Sequence, residues 1–230
     1  KSQISLIASN ASIYDDYDNP LGQTNFPSDH NSIVQNLFRM NTFPHSSVMF
    51  RRKEVMKFSG YNERCLKSIY FNMYLDLLQE NGSFFCVKEN LIKLRVYSTS
   101  WGVSDSKSLQ FYYAYLGLIS FYINKKTNKR LLRDDINDFR IIENLFKSWF
   151  YNSDVYKSSM AKKSFSLFLE KFRKREFNRT LQPLIKAFKK DALFWTYRGI
   201  KFTYEEDVMS FLEYAKNESP FISKIFDNEI

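Results

Sequence analysis

The sequence has few of the residues that build metal centres and disulfide frameworks. Its 230 residues include two cysteines, Cys65 and Cys86, and two histidines, His30 and His45. Two cysteines do not make the paired frameworks of small secreted domains, which favours a reducing, cytosolic setting. Two histidines exclude zinc sites built from several histidines, so any divalent metal would depend on carboxylates.

Long apolar runs and a secretion signal are also missing. The most apolar segment, LQFYYAYLGLISFYI over residues 109–123, falls short of the roughly 20 residues that span a bilayer. It predicts a buried or interfacial helix. The N-terminus has no basic region followed by an apolar core, so we expect no signal peptide.

Positive charge is concentrated in one segment of the chain. The net charge is +9, and residues 157–190 hold 11 basic and 2 acidic side chains, whereas residues 1–100 hold 11 and 9. Phenylalanines and leucines recur on one face of this basic segment. Three interpretations remain open: packing on a neighbouring domain, binding to an anionic membrane surface, or binding to a polyanion such as nucleic acid. Nucleic acid is the least favoured partner, since no nucleic-acid-binding motif accompanies the charge.

The first hundred residues alternate between strand and helix signals. Compact or alternating apolar runs predict strands over residues 3–9, 46–51, 84–87 and 90–97, the last two paired with each other. Periods near 3.6 predict a helix over residues 32–40, capped by Ser28 or Asp29, a helical turn over 53–58 and a stronger helix over 66–80. This part of the chain is therefore expected to be α/β.

Strand signals almost vanish in the second half. Helical periodicity marks residues 134–149, 163–177, 181–194 and 205–216. We predict an α/β domain over residues 1–104 and an all-α helical extension over residues 105–230, with the basic patch at 157–190.

Four ordered segments resemble the second half of a family 2 glycosyltransferase with the GT-A fold. The chain reads HSSVMFRR, SGYNE, a helix ending LDLLQENG, and LIKLRVYSTS. Family members read H-S-S-x-M-F-R, G-G-Y-D-E, E-D-Y-D-L-W-L-R-L and Y-R-x-H-x-x-S in the same order. The resemblance covers about residues 1–104. It implies the C-terminal, acceptor-side part of a GT-A nucleotide-sugar transferase fold, followed by the helical region.

The resemblance implies transfer of a sugar from a nucleotide-sugar donor to a glycan or lipid-linked acceptor, at the cytoplasmic face of a membrane. A divalent metal, Mg²⁺ or Mn²⁺, would neutralise the leaving diphosphate. The resemblance places its Asp-x-Asp ligands upstream of Lys1, so no metal ligand is assigned within this chain. The D-D-x-D run at Asp15, Asp16 and Asp18 follows a strand that the family places downstream of the metal site, and we interpret it as a solvated loop.

The chain departs from the family pattern at the catalytic positions. The family base, an aspartate that deprotonates the acceptor hydroxyl, falls on Tyr70, and the second aspartate falls on Asn72. The preceding glutamate becomes Ile69, and the histidine of the last motif becomes Tyr97. A tyrosine with a pKa near 10 is a poor base at neutral pH. The alternative is a catalytically degenerate domain that serves as a scaffold, a glycan-binding module or a partner subunit.

Four further residues are expected on the substrate side of the site. His45, Ser46 and Arg51 lie in the first motif, where an imidazole or a guanidinium can contact phosphate oxygens or an acceptor. Tyr74 follows Tyr70 by one helical turn, and aromatic faces at this spacing either stack on sugars or pack in a core.

Overall fold

A computed structural model describes residues 4–15, 17–38, 43–95, 107–130, 132–153 and 204–227. The basic patch at 157–190 and the helices predicted over 163–177 and 181–194 lie outside the described residues. Asp16 and Tyr97 lie outside them as well. The described residues form a mixed α/β structure, in agreement with the alternation of signals in the sequence.

A small mixed sheet forms the first layer. Strand β1 (Ile4–Tyr14) is central and pairs in parallel along its length with β4 (Ser83–Arg95). On its other edge it pairs antiparallel with β3 (Met49–Phe50) near its start and with β2 (Pro20–Gln23) near its end. The predicted pairing of residues 84–87 with 90–97 is wrong, because both segments belong to β4 and share β1 as partner.

An irregularity in the β1–β4 pairing explains the two separate strand signals. Ser9 lies opposite Val87, but the next residue, Asn10, lies opposite Asn90, so β4 bulges over Lys88 and Glu89. The buried Asn10 side chain fills the gap in the hydrogen bonding, since its Nδ2 donates to the Lys88 carbonyl at 3.1 Å. A bulge interrupts alternation without ending a strand.

Three helices accompany the sheet: α1 (His30–Leu37), α2 (Arg52–Met56) and α3 (Ile69–Gln79). Asp29, rather than Ser28, caps α1 by accepting a hydrogen bond from the backbone of Ser32. Helix α3 begins three residues later than predicted, because Ser68 has a left-handed backbone (φ 52°) and Leu66 is 68% exposed. The strand predicted over residues 46–51 is a 3₁₀ turn, His45–Ser47, followed by the short β3.

The helical region contributes α4 (Lys107–Thr127), α5 (Ile136–Asn152), α6 (Tyr204–Glu218) and α7 (Pro220–Asp227). The apolar segment over residues 109–123 lies in α4, where Tyr115, Leu116 and Ile119 are fully buried, which confirms the predicted buried helix. Helix α7 has no counterpart in the prediction. Within the described ranges, no helix combines the length and apolar character needed to cross a membrane.

The hydrophobic core continues from the sheet into the helices. Leu6 of β1, Tyr74 of α3, Tyr115 of α4 and Phe211 of α6 belong to one cluster of buried residues. The Tyr115 hydroxyl also donates to the buried Asp207 carboxylate at 2.7 Å. The predicted boundary near residue 104 falls in the undescribed range 96–106, while the two flanking parts share this core.

Candidate functional site

Three tyrosine rings surround His45 in the 3₁₀ turn. The His45 imidazole places Nδ1 at 2.9 Å from the Tyr74 hydroxyl and Nε2 at 3.1 Å from the Tyr61 hydroxyl. Its ring stacks on Tyr70 with centroids 4.8 Å apart and planes inclined by 15°. These four residues are called the ring cluster. Three of them, His45, Tyr70 and Tyr74, were predicted at the site from the sequence, and the structure brings them together. Tyr74 is fully buried, however, so its ring packs in the core and does not offer a face to a sugar.

Local structure explains this convergence. Tyr70 and Tyr74 lie one turn apart on α3, so their rings project from the same face of the helix. Tyr61 follows a tight turn in which Ser59 (φ 64°) and Gly60 (φ 81°) both adopt left-handed backbone. Glycine takes this conformation without the steric cost that a Cβ imposes. The turn after α2 therefore aims the Tyr61 ring at His45.

The ring cluster is uncharged at neutral pH. Burial lowers the pKa of the half-buried His45 imidazole and raises the pKa of the Tyr61 and Tyr70 hydroxyls. Burial also raises the pKa of Tyr74, further than for the other two tyrosines. A neutral imidazole has one donor and one acceptor nitrogen, so one tyrosine hydroxyl accepts from His45 while the other donates to it. With its pKa raised, the Tyr70 hydroxyl is a still poorer base than a free tyrosine.

Ser46 and Arg51 lie outside the hydrogen bonds of the ring cluster. Ser46 is exposed, and its neighbour Ser47 makes the structural contact by accepting from the Ser9 backbone at 3.3 Å. Arg51 directs its Nε towards the Ile4 carbonyl at 2.7 Å. In the described structure Arg51 therefore joins the start of β1 to the chain before α2.

Asn72 does not join the ring cluster. It is 3% exposed, and its Nδ2 donates to the Ser68 carbonyl at 3.0 Å and to the Tyr113 carbonyl of α4 at 3.2 Å. Residues two apart on a helix lie on nearly opposite faces. Asn72 therefore lies on the face of α3 that packs against α4, away from Tyr70, where its amide stabilises the contact between the two helices.

An open pocket of about 520 Å³ lies next to the ring cluster. Tyr61 lines it, and so connects the pocket to His45. Most of the other side chains that the pocket presents are charged; we call it the basic pocket. Its cationic residues are Lys57, Arg64, Arg130 and Arg133, and its acidic residues are Glu63 and Asp134.

An ion pair that the sequence analysis did not find forms one side of the basic pocket. Arg133 Nη2 lies 2.6 Å from Asp76 Oδ2 on α3, and the same guanidinium donates to the carbonyls of Phe58 at 2.7 Å and Gly60 at 2.9 Å. Burial raises the pKa of Asp76, and the adjacent Arg133 opposes that shift. A carboxylate within an otherwise apolar helix was the available signal, because a buried charge requires a partner.

The two described aspartates of the D-D-x-D run, Asp15 and Asp18, already have partners. The Asp15 carboxylate accepts from the backbones of Tyr17 at 2.8 Å and Asn19 at 2.9 Å, while Asp18 pairs with Arg95. Among the residues with described positions, no group of three or more histidine, cysteine, aspartate or glutamate side chains has the arrangement of a metal site.

Comparisons of the chain with protein-family models, with curated proteins and with solved structures find no match.

Proposed function

We propose that this chain forms the acceptor-binding side of a glycosyltransferase-like domain of the GT-A kind. The supporting observation is the ring cluster: His45, at the first motif of the resemblance, contacts Tyr61 of the second motif and Tyr70 and Tyr74 of the third. Three sequence motifs that lie apart in the chain therefore meet at one place, next to an open pocket. Within the ring cluster, Tyr61 lines this pocket with an exposed ring, which provides the kind of apolar face that a sugar requires.

The same geometry favours a second candidate, a catalytically degenerate domain that binds a glycan without transferring it. Transfer of a sugar needs a base that removes the proton of the acceptor hydroxyl. Tyr70 stands at the base position, has a raised pKa and stacks on His45. Glycan binding is common to both candidates, and only the catalytic step separates them.

Glycan binding is tested by screening the chain on a glycan array and titrating the best ligand by calorimetry. Tyr61 is 41% exposed at the pocket, so Tyr61→Ala should weaken binding about tenfold through loss of the stacking surface and the hydroxyl. Tyr17→Ala is the matched control, since Tyr17 is exposed on the remote turn between β1 and β2. Equal losses for the two variants, or no glycan bound by the wild type, would contradict the proposal.

Catalysis is tested with the natural protein, UDP- and GDP-sugars, and Mn²⁺ or Mg²⁺. If the chain belongs to an active transferase, donor turnover depends on the metal and Tyr70→Phe changes the rate. Glycan binding without turnover of any donor supports the degenerate domain instead.

The proposed place of action is the cytoplasmic face of a membrane. Its support is the sequence of the basic patch at 157–190, with 11 basic and 2 acidic residues and a recurring apolar face. The expected result is binding to vesicles with anionic lipids that weakens with added salt. Binding to oligonucleotides in preference to such vesicles would instead favour a polyanion partner.

A further inference from the structure

We propose that the basic pocket binds an anionic group, a phosphate or a carboxylate, carried by the acceptor glycan. Its assignment to an acceptor rests on the proposed function, whereas anion binding itself follows from the pocket.

Three of the four cations already have carboxylate partners. Arg133 pairs with Asp76 at 2.6 Å, Arg130 pairs with Glu80, and Lys57 pairs with Glu54 at 2.6 Å. These pairs hold the two arginine side chains in place, with Arg133 also bonded to two carbonyls. They therefore form the wall of the pocket, and their positive charges are already neutralised.

Arg64 is the lining cation that keeps N–H donors available to a ligand. It is half-buried and its Nη1 donates to the Leu132 carbonyl at 3.2 Å, while its guanidinium lies 5.8 Å from the centre of the Phe139 ring. No carboxylate of the described residues comes within 4.0 Å of it. A guanidinium has five N–H donors in a fixed fork that matches the oxygens of phosphate or carboxylate. Arg64 therefore has donors left for a bidentate anion at the pocket.

The acidic residues of the pocket leave room for an anion. The Asp134 carboxylate accepts from the backbone N–H of Arg130 at 2.8 Å, so it is engaged within its own loop. Glu63 is exposed next to Arg64 in the sequence, where water screens its charge. Glu63 opposes an incoming anion, and removing its charge is expected to strengthen binding.

Tyr61 is placed to bind the sugar that carries the anionic group. Its ring lines the same pocket as Arg64, and its hydroxyl contacts His45 of the ring cluster. A sugar packed on Tyr61 can extend a charged substituent towards Arg64. The ligand class that fits is a sugar phosphate or a uronic acid, rather than a neutral sugar.

The test measures thermal unfolding midpoints of the whole chain at rising concentrations of three probes: inorganic phosphate, glucuronate and glucose. Ionic strength is held constant with sodium chloride, and the shifts give apparent Kd values. Phosphate or glucuronate should stabilise the wild type more than glucose does. Arg64→Gln should raise the apparent Kd of the preferred anion about tenfold, the loss expected for a charge-assisted contact. Tighter binding of phosphate than of glucuronate indicates a phosphorylated acceptor, and tighter binding of glucuronate indicates a uronic acid.

Two variants serve as controls for this result. Arg140→Gln removes an exposed arginine from α5, outside the pocket, and should leave the anion affinity unchanged. All variants keep the basic patch, so an effect of Arg64→Gln alone comes from the pocket. Glu63→Gln should lower the apparent Kd severalfold, and it tests the proposal even if Arg64→Gln does not fold. Equal stabilisation by glucose and the anions, or unchanged anion affinity in both pocket variants, would overturn it.

The outcomes separate this inference from the proposed function. If anion binding depends on Arg64 but no glycan is bound and no donor is consumed, the anion-binding pocket is supported and the transferase-like function is contradicted. If glycan binding depends on Tyr61 but not on Arg64 or Glu63, the proposed function is supported and the proposal of an anionic substituent is contradicted.

Discussion

The Arg133 guanidinium joins the loop before α5 to the Asp76 carboxylate of α3, with Nη2 and Oδ2 2.6 Å apart. The two side chains are only 12% and 18% exposed. Because Arg133 also donates to the carbonyls of Phe58 and Gly60, it holds the turn that presents Tyr61 to His45. The helical region thus supports the geometry of the ring cluster in the α/β part.

Removing one partner of this ion pair should destabilise the fold. Arg133→Gln leaves the Asp76 carboxylate buried and unpaired, so we expect the free energy of unfolding to fall by about 3 kcal/mol. The measurement is urea denaturation followed by circular dichroism. Lys129→Gln is the control, because its pair with Asp138 is long, at 3.9 Å, and the Lys129 side chain is 56% exposed; we expect a loss below about 0.5 kcal/mol.

A double replacement tests whether the two residues act through each other. Arg133→Gln combined with Asp76→Asn removes both charges, so the combined loss should be smaller than the sum of the single losses by at least about 1 kcal/mol. Additive losses would show that Arg133 stabilises the fold through its carbonyl contacts alone.

Gly117 should not tolerate a side chain. A Cβ at this position of α4 would lie 2.9 Å from Asn72 Cγ and closer still to Oδ1. The Asn72 amide is held by two hydrogen bonds, so it cannot move aside without losing them. We expect Gly117→Ala to lower the unfolding free energy by about 1–2 kcal/mol, despite the higher helix propensity of alanine.

The rescue experiment replaces Asn72 as well. Adding Asn72→Ala to Gly117→Ala removes the clash, so the second substitution should cost less in the Gly117→Ala background than in the wild type. If Asn72→Ala lowers the free energy of unfolding equally in both backgrounds, measured by denaturant unfolding, the alanine side chain at position 117 does not clash with Asn72.

The His45 imidazole should make stability depend on pH. Burial lowers its pKa in the native state, so the unfolded chain binds a proton there more readily than the native chain does. The contribution of neutral His45 to the free energy of unfolding is therefore complete above the ordinary pKa of about 6.5. It is lost as the pH falls through the lowered pKa of His45 in the native state. Unfolding free energies of wild type and His45→Gln, measured between pH 8 and pH 5, should converge towards the acid end.

All other ionisable groups are common to these two proteins, so the difference between them isolates His45. The tyrosines around it do not titrate in this range, because their pKa values are raised. A constant difference across the whole range would contradict the burial of His45.

Both cysteines should be unreactive in the native protein. Cys65 is 1% exposed, and burial raises its thiol pKa to about 12. Cys86 is fully buried in β4, with its pKa raised for the same reason. Since the thiolate is the nucleophile, we expect a chromogenic disulfide reagent at pH 8 to label neither thiol in native buffer and both after denaturation. Fast labelling of either thiol in native buffer would show that its surroundings open.

Local patterns in the sequence predicted much of the fold. Neighbouring residues set the features that the structure confirms: the apolar run in α4, the first strand, and the cap of α1, which was predicted at Ser28 or Asp29 and is Asp29. Two-residue and 3.6-residue periodicity reports which face of an element is buried. It does not report which element covers that face. For this reason the predicted pairing of residues 84–87 with 90–97 was wrong, and β4 pairs with β1 instead.

The candidate site divides in the same way. The family resemblance assigned His45, Tyr70 and Tyr74 to one site, and the structure brings these side chains into contact, because one turn of α3 aligns the two tyrosines. Tyr61 and the basic pocket depend on Arg133, more than seventy residues along the chain from the turn that it holds. Asn72 was assigned to the site by position in a motif, yet α4 buries it on the opposite face.

The sequence by itself determined the first strand and most of the described helices, where charge accumulates along the chain, and that histidine- and cysteine-rich metal centres are excluded. Those properties follow from residue composition and from the steric preferences of neighbouring residues. Only the tertiary structure decided that β1 and β4 pair in parallel, that Asp76 has an arginine partner, and that Arg64 lacks a carboxylate partner among the described residues. These relationships join residues far apart in the chain, and their free energy depends on burial that exists only once the core has formed.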